Sequence, residues 1–387
     1  MPRDRIPQRY RVVPQHFTSG NRVELLRDGL AAFPAMLDAI KNAREQVLLE
    51  MYWFDSDSIG RRFATELAAA AGRGVEVAVL YDAFGSIGSD PAMFAELREA
   101  GASVLEFGPL APWRQRFRFG RLTQRDHRKL LLVDAELGFT GGLNIADAWR
   151  SLDETGGGGW RDDVVRVEGP AVRDLRQIML EAWQIAGGKP FIRCAGRPSI
   201  PYQPGTQDIA VLGQSAFRAR REISRAYIAQ LYHAKHRAYI RNAYFVPDRS
   251  VRRALKQAAA RGVDVRVLMP GTSDVELVRH ASRATWGTLL RSGVRLFEWQ
   301  GGILHAKSAV VDGRWSTVGT YNLDYLSLRT NLEVNVSISN EEFGAAMESS
   351  FLEDLRGSSE VDRRAFRFRP LGERLLELIA YRFRKVL

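Results

Sequence analysis

Two stretches of this 387-residue chain carry the same reactive residues at the same spacing. His127-x-Lys129-x4-Asp134 and His305-x-Lys307-x4-Asp312 are each followed by Gly-x-x-Asn, Gly141 to Asn144 and Gly319 to Asn322. In a strand, successive side chains alternate faces, so each histidine shares a face with its lysine. The glycine permits a tight turn, and Asn144 or Asn322 can return an amide donor to the same place. Two imidazoles, two ammonium groups and two amides suit a phosphodiester. The cations and amides grip the non-bridging oxygens, while the imidazoles attack phosphorus and move protons. Paired lysines repel a metal ion and the acids are few, so no metal or cofactor is expected. Each half also places a late acid on a strand, Asp162 in WRDDVVRV and Glu333 in NLEVNVSI. Accepting from one imidazole nitrogen, such a carboxylate fixes the tautomer and supports charge on the ring. Asp163 is an alternative to Asp162.

The elements that must position these residues repeat as well. VLLEMYWF at 47–54 matches AYIRNAYF at 238–245, and RGVEVAVL at 73–80 matches RGVDVRVL at 261–268. AGASVLEF at 100–107 matches SGVRLFEW at 292–299. Alanine-rich helical runs separate apolar, β-branched strands, with a glycine where each helix should stop. The pattern is α/β, with a sheet per half and helices packed on it. The halves run 192 residues apart at Gly101/Gly293 and 178 apart at His127/His305, so the first carries 14 extra residues. These lie near 109–124, PLAPWRQRFRFGRLTQ, where Trp113, Phe117 and Phe119 interleave with Arg114, Arg116 and Arg118 and no acid occurs. The expected divisions are a basic segment 1–20, a first lobe 21–187, a proline-rich linker 188–207, a second lobe 208–368 and an amphipathic segment 369–387.

Composition narrows the class of partner. A formal net charge of +11 calls for an anionic one: nucleic acid, a membrane surface or a phosphate substrate. An apolar fraction of 45% excludes a disordered chain, and a single cysteine excludes a disulfide framework. No apolar run is long enough for a membrane-spanning helix, and 1–20 lacks the apolar region of a secretory signal.

The doubled motif resembles the phospholipase D superfamily. DHRKLLLVDAELGFTGGLN, VGTYNLDYLSLRTNLEVNV and NAYFVPD are similar to bacterial cardiolipin synthases of the short type without N-terminal membrane-spanning helices. The resemblance covers about residues 20–350 and implies two pseudo-symmetric lobes with one active site at their interface. It implies a phosphohistidine intermediate on His127, with His305 as acid and then base. Lys129, Lys307, Asn144 and Asn322 would hold the phosphate, while Asp134 and Asp312 complete the motifs as supports. Where relatives carry serine after the motif glycine, this chain has Gly142 and Thr320; the contact of Gly142 would fall to its backbone. The implied reaction transfers a phosphatidyl group from phosphatidylglycerol, or a related phospholipid, to a second phosphatidylglycerol. It would take place at the cytoplasmic face of the bacterial membrane, with the enzyme bound peripherally. The 109–124 insertion would dock the anionic leaflet, and its apolar content disfavours a nuclease. A lipid hydrolase using water remains the other reading. The C-terminal segment is either an interfacial helix or one packed on the second lobe.

Overall fold

A computed structural model describes residues 7, 10, 16–113, 117, 119, 123–150, 159–191, 203–215 and 220–385. In the first half the strands are β1 (Thr18–Arg27), β2 (Gln46–Met51), β3 (Glu76–Asp82), β4 (Ser103–Phe107), β5 (Lys129–Val133), β6 (Leu137–Gly141) and β7 (Asp163–Glu168). In the second they are β8 (Gln207–Ser215), β9 (Arg220–Arg221), β10 (Arg237–Asn242), β11 (Asp264–Pro270), β12 (Arg295–Trp299), β13 (Lys307–Val311), β14 (Trp315–Gly319), β15 (Glu333–Ser339) and β16 (Ser358–Glu360).

The strand order shows the duplication. Outward from the centre, the first half runs β1-β7-β6-β5-β2-β3-β4 and the second β8-β15-β14-β13-β10-β11-β12, with β16 added at the far edge. In each half the strands of the α/β repeat are parallel to one another, β2-β3-β4 and β10-β11-β12. The motif strands β5 and β13 are antiparallel to them. QVLLEM in β2 and KLLLV in β5 are buried at every position, as in strands covered on both faces. Gly74 (φ +84°) and Gly262 (φ +88°) end the preceding helices in the left-handed region, where a β-carbon is costly.

Two expectations are corrected. The halves do not keep separate sheets: β1 and β8 pair antiparallel and join them into one sheet of 16 strands among the described residues. This edge-to-edge pairing leaves neither β1 nor β8 as an open edge strand at the join. Also, β1 starts at Thr18, inside the segment expected to precede the first lobe. The two halves of the sheet then pack face to face, and one core cluster mixes Leu130, Val165 and Val167 with Val310, Val334 and Val336. Because of that packing, the ends of β5 and β13 that carry the motifs lie against the opposite half.

Candidate active site

Two short parallel bridges cross from half to half immediately before the motifs. Asp126 pairs with Leu332, and Arg161 pairs with Leu304. The His127 N–H donates to Leu332 O (3.0 Å) and the His305 N–H to Arg161 O (2.8 Å). Each motif backbone is therefore held by the residue immediately before the opposite half's late acid.

The side chains follow the same exchange. The carboxylate of Glu333 lies 3.0 and 3.1 Å from His127 Nδ1, across the interface. Asp162 Oδ2 lies 2.8 Å from His305 Nδ1, in the reverse direction. A carboxylate only accepts, so His127 Nδ1 donates and Nε2 carries the ring's lone pair. Sequence order places each acid after the histidine of its own half; the fold gives it to the other. Of the two candidate acids, Asp162 is the one in contact with the imidazole. Asp163 instead accepts from Ser308 Oγ (2.6 Å) and pairs with Arg161 and Arg241.

The two carboxylates sit in unequal surroundings. Glu333 accepts from Thr320 Oγ1 (2.5 Å) and Ser327 Oγ (2.6 Å) besides His127. Burial opposes its ionisation, but His127 and Lys129 outweigh that and hold its carboxyl below the usual range. Asp162 accepts from Trp149 Nε1 (3.0 Å) and the Asp163 N–H (2.9 Å), and burial pushes it up to about 6. A β-carbon on Gly142 would stand 2.1 Å from Asp162 Oδ1, so glycine is required there to admit the carboxylate. This corrects the expected roles after the motif glycines. The Gly142 N–H donates to Asp163 O (3.1 Å) and the Thr320 hydroxyl serves Glu333, so neither is directed at a phosphate.

Lys129 Nζ donates to His127 O (2.8 Å), and Lys307 Nζ donates to His305 O while standing 2.8 Å from His305 Nδ1. Burial and mutual repulsion lower Lys129 to about 7, and burial lowers Lys307 to about 8. Burial and the lysine charges also lower both imidazoles, His305 the further. Burial and the neighbouring Lys307 thus disfavour the charge on Lys129, a penalty that an anion beside it would relieve. Asn144 Oδ1 accepts from the Trp53 N–H (3.2 Å) and Asn322 Oδ1 from the Tyr244 N–H (3.4 Å), which leaves each amide NH2 as the donor.

Asp134 and Asp312 stand apart from the imidazoles, beyond the far ends of β5 and β13. Asp134 accepts from the N–H groups of Arg44, Glu45 and Gln46 (3.0, 2.8 and 2.9 Å). Asp312 does the same with Lys235, His236 and Arg237 (2.8, 2.8 and 2.9 Å). Their place in the catalytic motif is structural: each pins the chain entering β2 or β10.

Aromatic rings that lie outside the motifs border both imidazoles. The ring of Tyr52 meets His127 edge-on (centroids 4.8 Å) and lies 5.0 Å from Lys129 Nζ; Trp149 and Trp160 flank His305 at 5.3 and 5.4 Å. The sequence signal is MYWF at 51–54, in which Tyr52 directly follows β2, the strand that pairs with β5. In the insertion, Trp113 and Phe119 are 85% and 75% exposed and Phe117 packs on Phe119 (4.8 Å). Arg114, Arg116 and Arg118 lie outside the described residues. Among the described residues, no group of three or more His, Cys, Asp and Glu side chains is placed to hold a metal ion, and no helix is long and apolar enough to cross a membrane.

Fold and site together define a class: a two-lobed enzyme whose duplicated His-x-Lys motifs meet at one interface. The chain belongs to the family described as "Cardiolipin synthase, PLD-like domain", whose family model matches residues 36–156 and 227–355, one motif in each span. It is 34% identical over 372 residues to a cardiolipin synthase of Geobacillus thermodenitrificans, covering 96% of this chain and 73% of that one. It is 32% identical over 379 residues to the probable cardiolipin synthase YwiE of Bacillus subtilis, covering 97% and 74%. Among solved structures, a phosphatidylserine synthase of Haemophilus influenzae aligns with a TM-score of 0.74 over 97% of this chain and 98% of its own, at 11% identity, a likeness of fold.

Proposed function

We propose that this enzyme is a phosphatidyltransferase that makes cardiolipin from phosphatidylglycerol, or from a related phospholipid donor, and releases glycerol. The observation that carries this reading is the exchanged pair of histidine–carboxylate contacts. Family membership and the named relatives supply the substrate class.

His127 Nε2 attacks phosphorus, the bond to the glycerol oxygen breaks, and His305 gives that oxygen its proton. The resulting phosphatidyl group is bonded to His127. Glu333, kept ionised by its donors, supports the charge that develops on the His127 ring. A second phosphatidylglycerol hydroxyl then gives its proton to His305 and attacks phosphorus. The P–N bond breaks, cardiolipin leaves and both rings return to their starting states. The bound phosphate anion opposes Lys129 and Lys307 and raises the depressed imidazoles toward the neutral range, where proton transfer is efficient. The same lysines and the Asn144 and Asn322 amides face the charge of the pentacoordinate transition state. The exposed rings of the insertion, Trp113 and Phe119, meet the cytoplasmic leaflet peripherally.

Incubation with vesicles of labelled phosphatidylglycerol tests this directly. Cardiolipin and free glycerol in equal amounts are expected. Phosphatidic acid as the sole product would replace the transferase with a hydrolase, and plasmid nicking without lipid turnover would replace both with a nuclease. Turnover in excess EDTA is expected to match the untreated enzyme.

A further inference from the structure

The helix Leu371–Arg382 is mounted the wrong way round for an ordinary surface helix. Such helices bury an apolar stripe and expose the polar one. Here the polar side faces the body. Glu377 is fully buried and pairs with Arg283 (3.0 Å) and Arg369, and Glu373 reaches the same Arg283 (3.2 Å). The apolar stripe faces outward: Leu371, Leu375, Leu378 and Ile379, at i, i+4, i+7 and i+8, are 77%, 60%, 63% and 48% exposed. An apolar face of that kind marks a surface meant for something else.

Its position links it to the site. Ala380 and Tyr381, at its C-terminal end, pack with Val246, Val278 and Tyr244. Tyr244 is the residue whose ring approaches His305 (6.4 Å) and whose N–H holds Asn322. Beyond it, Leu277 is 40% exposed on the helix that carries Arg283. Charge decides the occupant. Arg382 lies within the apolar stripe and Arg374 at its margin, both exposed, with Arg367 and Lys385 exposed at either end. No acid interrupts the stripe. A second copy of the chain would bring these cations against each other. Anionic headgroups would neutralise them while the leucines enter the acyl boundary and the arginine stems lie along them.

We propose that the outward face of this helix is the seat on which the enzyme docks to an anionic bilayer, presenting the Tyr244 side of the site to lipid. The inference rests on the phospholipid reading above, and its test separates the two. The variant Leu375→Gln/Leu378→Gln/Ile379→Gln keeps good helix formers at exposed positions. It is to be compared with the wild type for co-sedimentation with vesicles of equal phosphatidylglycerol and phosphatidylcholine. Turnover of vesicle phosphatidylglycerol and of a monomeric short-chain phosphatidylglycerol is measured alongside, with unfolding temperature and sedimentation velocity.

The expected result is a loss on the order of tenfold or more in vesicle binding and vesicle turnover, with short-chain turnover and unfolding temperature unchanged. A second variant, Arg374→Gln/Arg382→Gln, should weaken binding to these vesicles and leave the weak binding to pure phosphatidylcholine as it was. Unchanged vesicle binding by the triple variant overturns the proposal. A wild-type dimer that the triple variant converts to monomer, with vesicle binding intact, overturns it in favour of a self-interface. Vesicle binding lost by the variant while neither protein turns over any phospholipid would leave the docking face standing and remove the enzymatic reading.

Discussion

Glu333 stands 3.0 Å from Nδ1 of His127, a residue 206 positions earlier and in the opposite half of the chain. Asp162 and His305 repeat the contact in the other direction across 143 positions. Neither half therefore holds a complete histidine–acid pair. Glu333→Gln preserves shape and removes the charge that supports a positive ring on His127. Its kcat should fall by on the order of 100-fold or more, with KM little changed, in a steady-state assay on a soluble phosphodiester. A kcat within twofold of wild type would show that the carboxylate is packing and nothing more.

The contact between Gly142 and Asp162 gives a sharper test, because it predicts loss from adding one methyl group. In Gly142→Ala the new β-carbon would meet Asp162 Oδ1 at 2.1 Å, and that carboxylate is already tied to Trp149 and the Asp163 N–H. Displacing it frees His305. Turnover should drop at least as far as in Asp162→Asn. At the matching position of the other half, Thr320→Ser keeps the hydroxyl on Glu333 and should retain most activity, whereas Thr320→Val should not. An active Gly142→Ala enzyme would mean that Asp162 can move without consequence.

Stability is concentrated in a buried cluster behind the site. Arg161 and Arg241, one from each half, converge on Asp163 and Asp354, again one from each half; Arg241 Nε lies 2.6 Å and Arg161 Nη2 3.0 Å from Asp354 Oδ2. All four are at most 2% exposed. Removing one partner strands buried charge, so Asp354→Ala should lose about 3–5 kcal/mol in urea unfolding. A loss below about 1 kcal/mol would show the cluster to be hydrated or redundant.

The pH dependence follows from the lowered lysines. Burial and the Lys307 charge bring Lys129 down to about 7, and burial brings Lys307 down to about 8. As pH rises through that window they lose the charge that grips phosphate, so kcat/KM should fall, mainly through KM. On the acid side Asp162 becomes protonated near 6 and ceases to orient His305 as a carboxylate. The profile of kcat/KM on a soluble diester, which reports the free enzyme, should therefore be bell-shaped with its maximum between about 6 and 7. A rate that keeps rising from pH 7 to 9 would show that neutral lysines suffice.

Much of this was legible in the sequence because it is written twice. The repeated His-x-Lys pairs, the Gly-x-x-Asn returns and the strand–helix alternation each identify themselves by recurrence. The insertion showed as a change of offset. What escaped are facts about the space between halves. Spacing sets each acid beside its own histidine, and only the face-to-face packing of β5 to β7 with β13 to β15 exchanges Asp162 and Glu333. The β1–β8 join was hidden because its segments, Thr18–Arg27 and Gln207–Ser215, lie far apart in the sequence and carry no special motif. The helix Leu371–Arg382 showed its stripe plainly. Its orientation was unreadable, because Glu377 is turned inward by Arg283, 94 residues away.

The central claim is that His127 and His305 serve one phosphorus in different roles, nucleophile and proton donor. A phosphatidyl ester of p-nitrophenol separates them, since this leaving group needs no proton. In a pre-steady-state burst experiment, His305→Ala should release one equivalent of nitrophenolate and retain the phosphatidyl group on His127, identified by mass spectrometry of the acid-sensitive adduct at neutral pH. His127→Ala should give no burst and no adduct. A burst from His127→Ala with the lipid bonded to His305, and none from His305→Ala, would contradict the assignment.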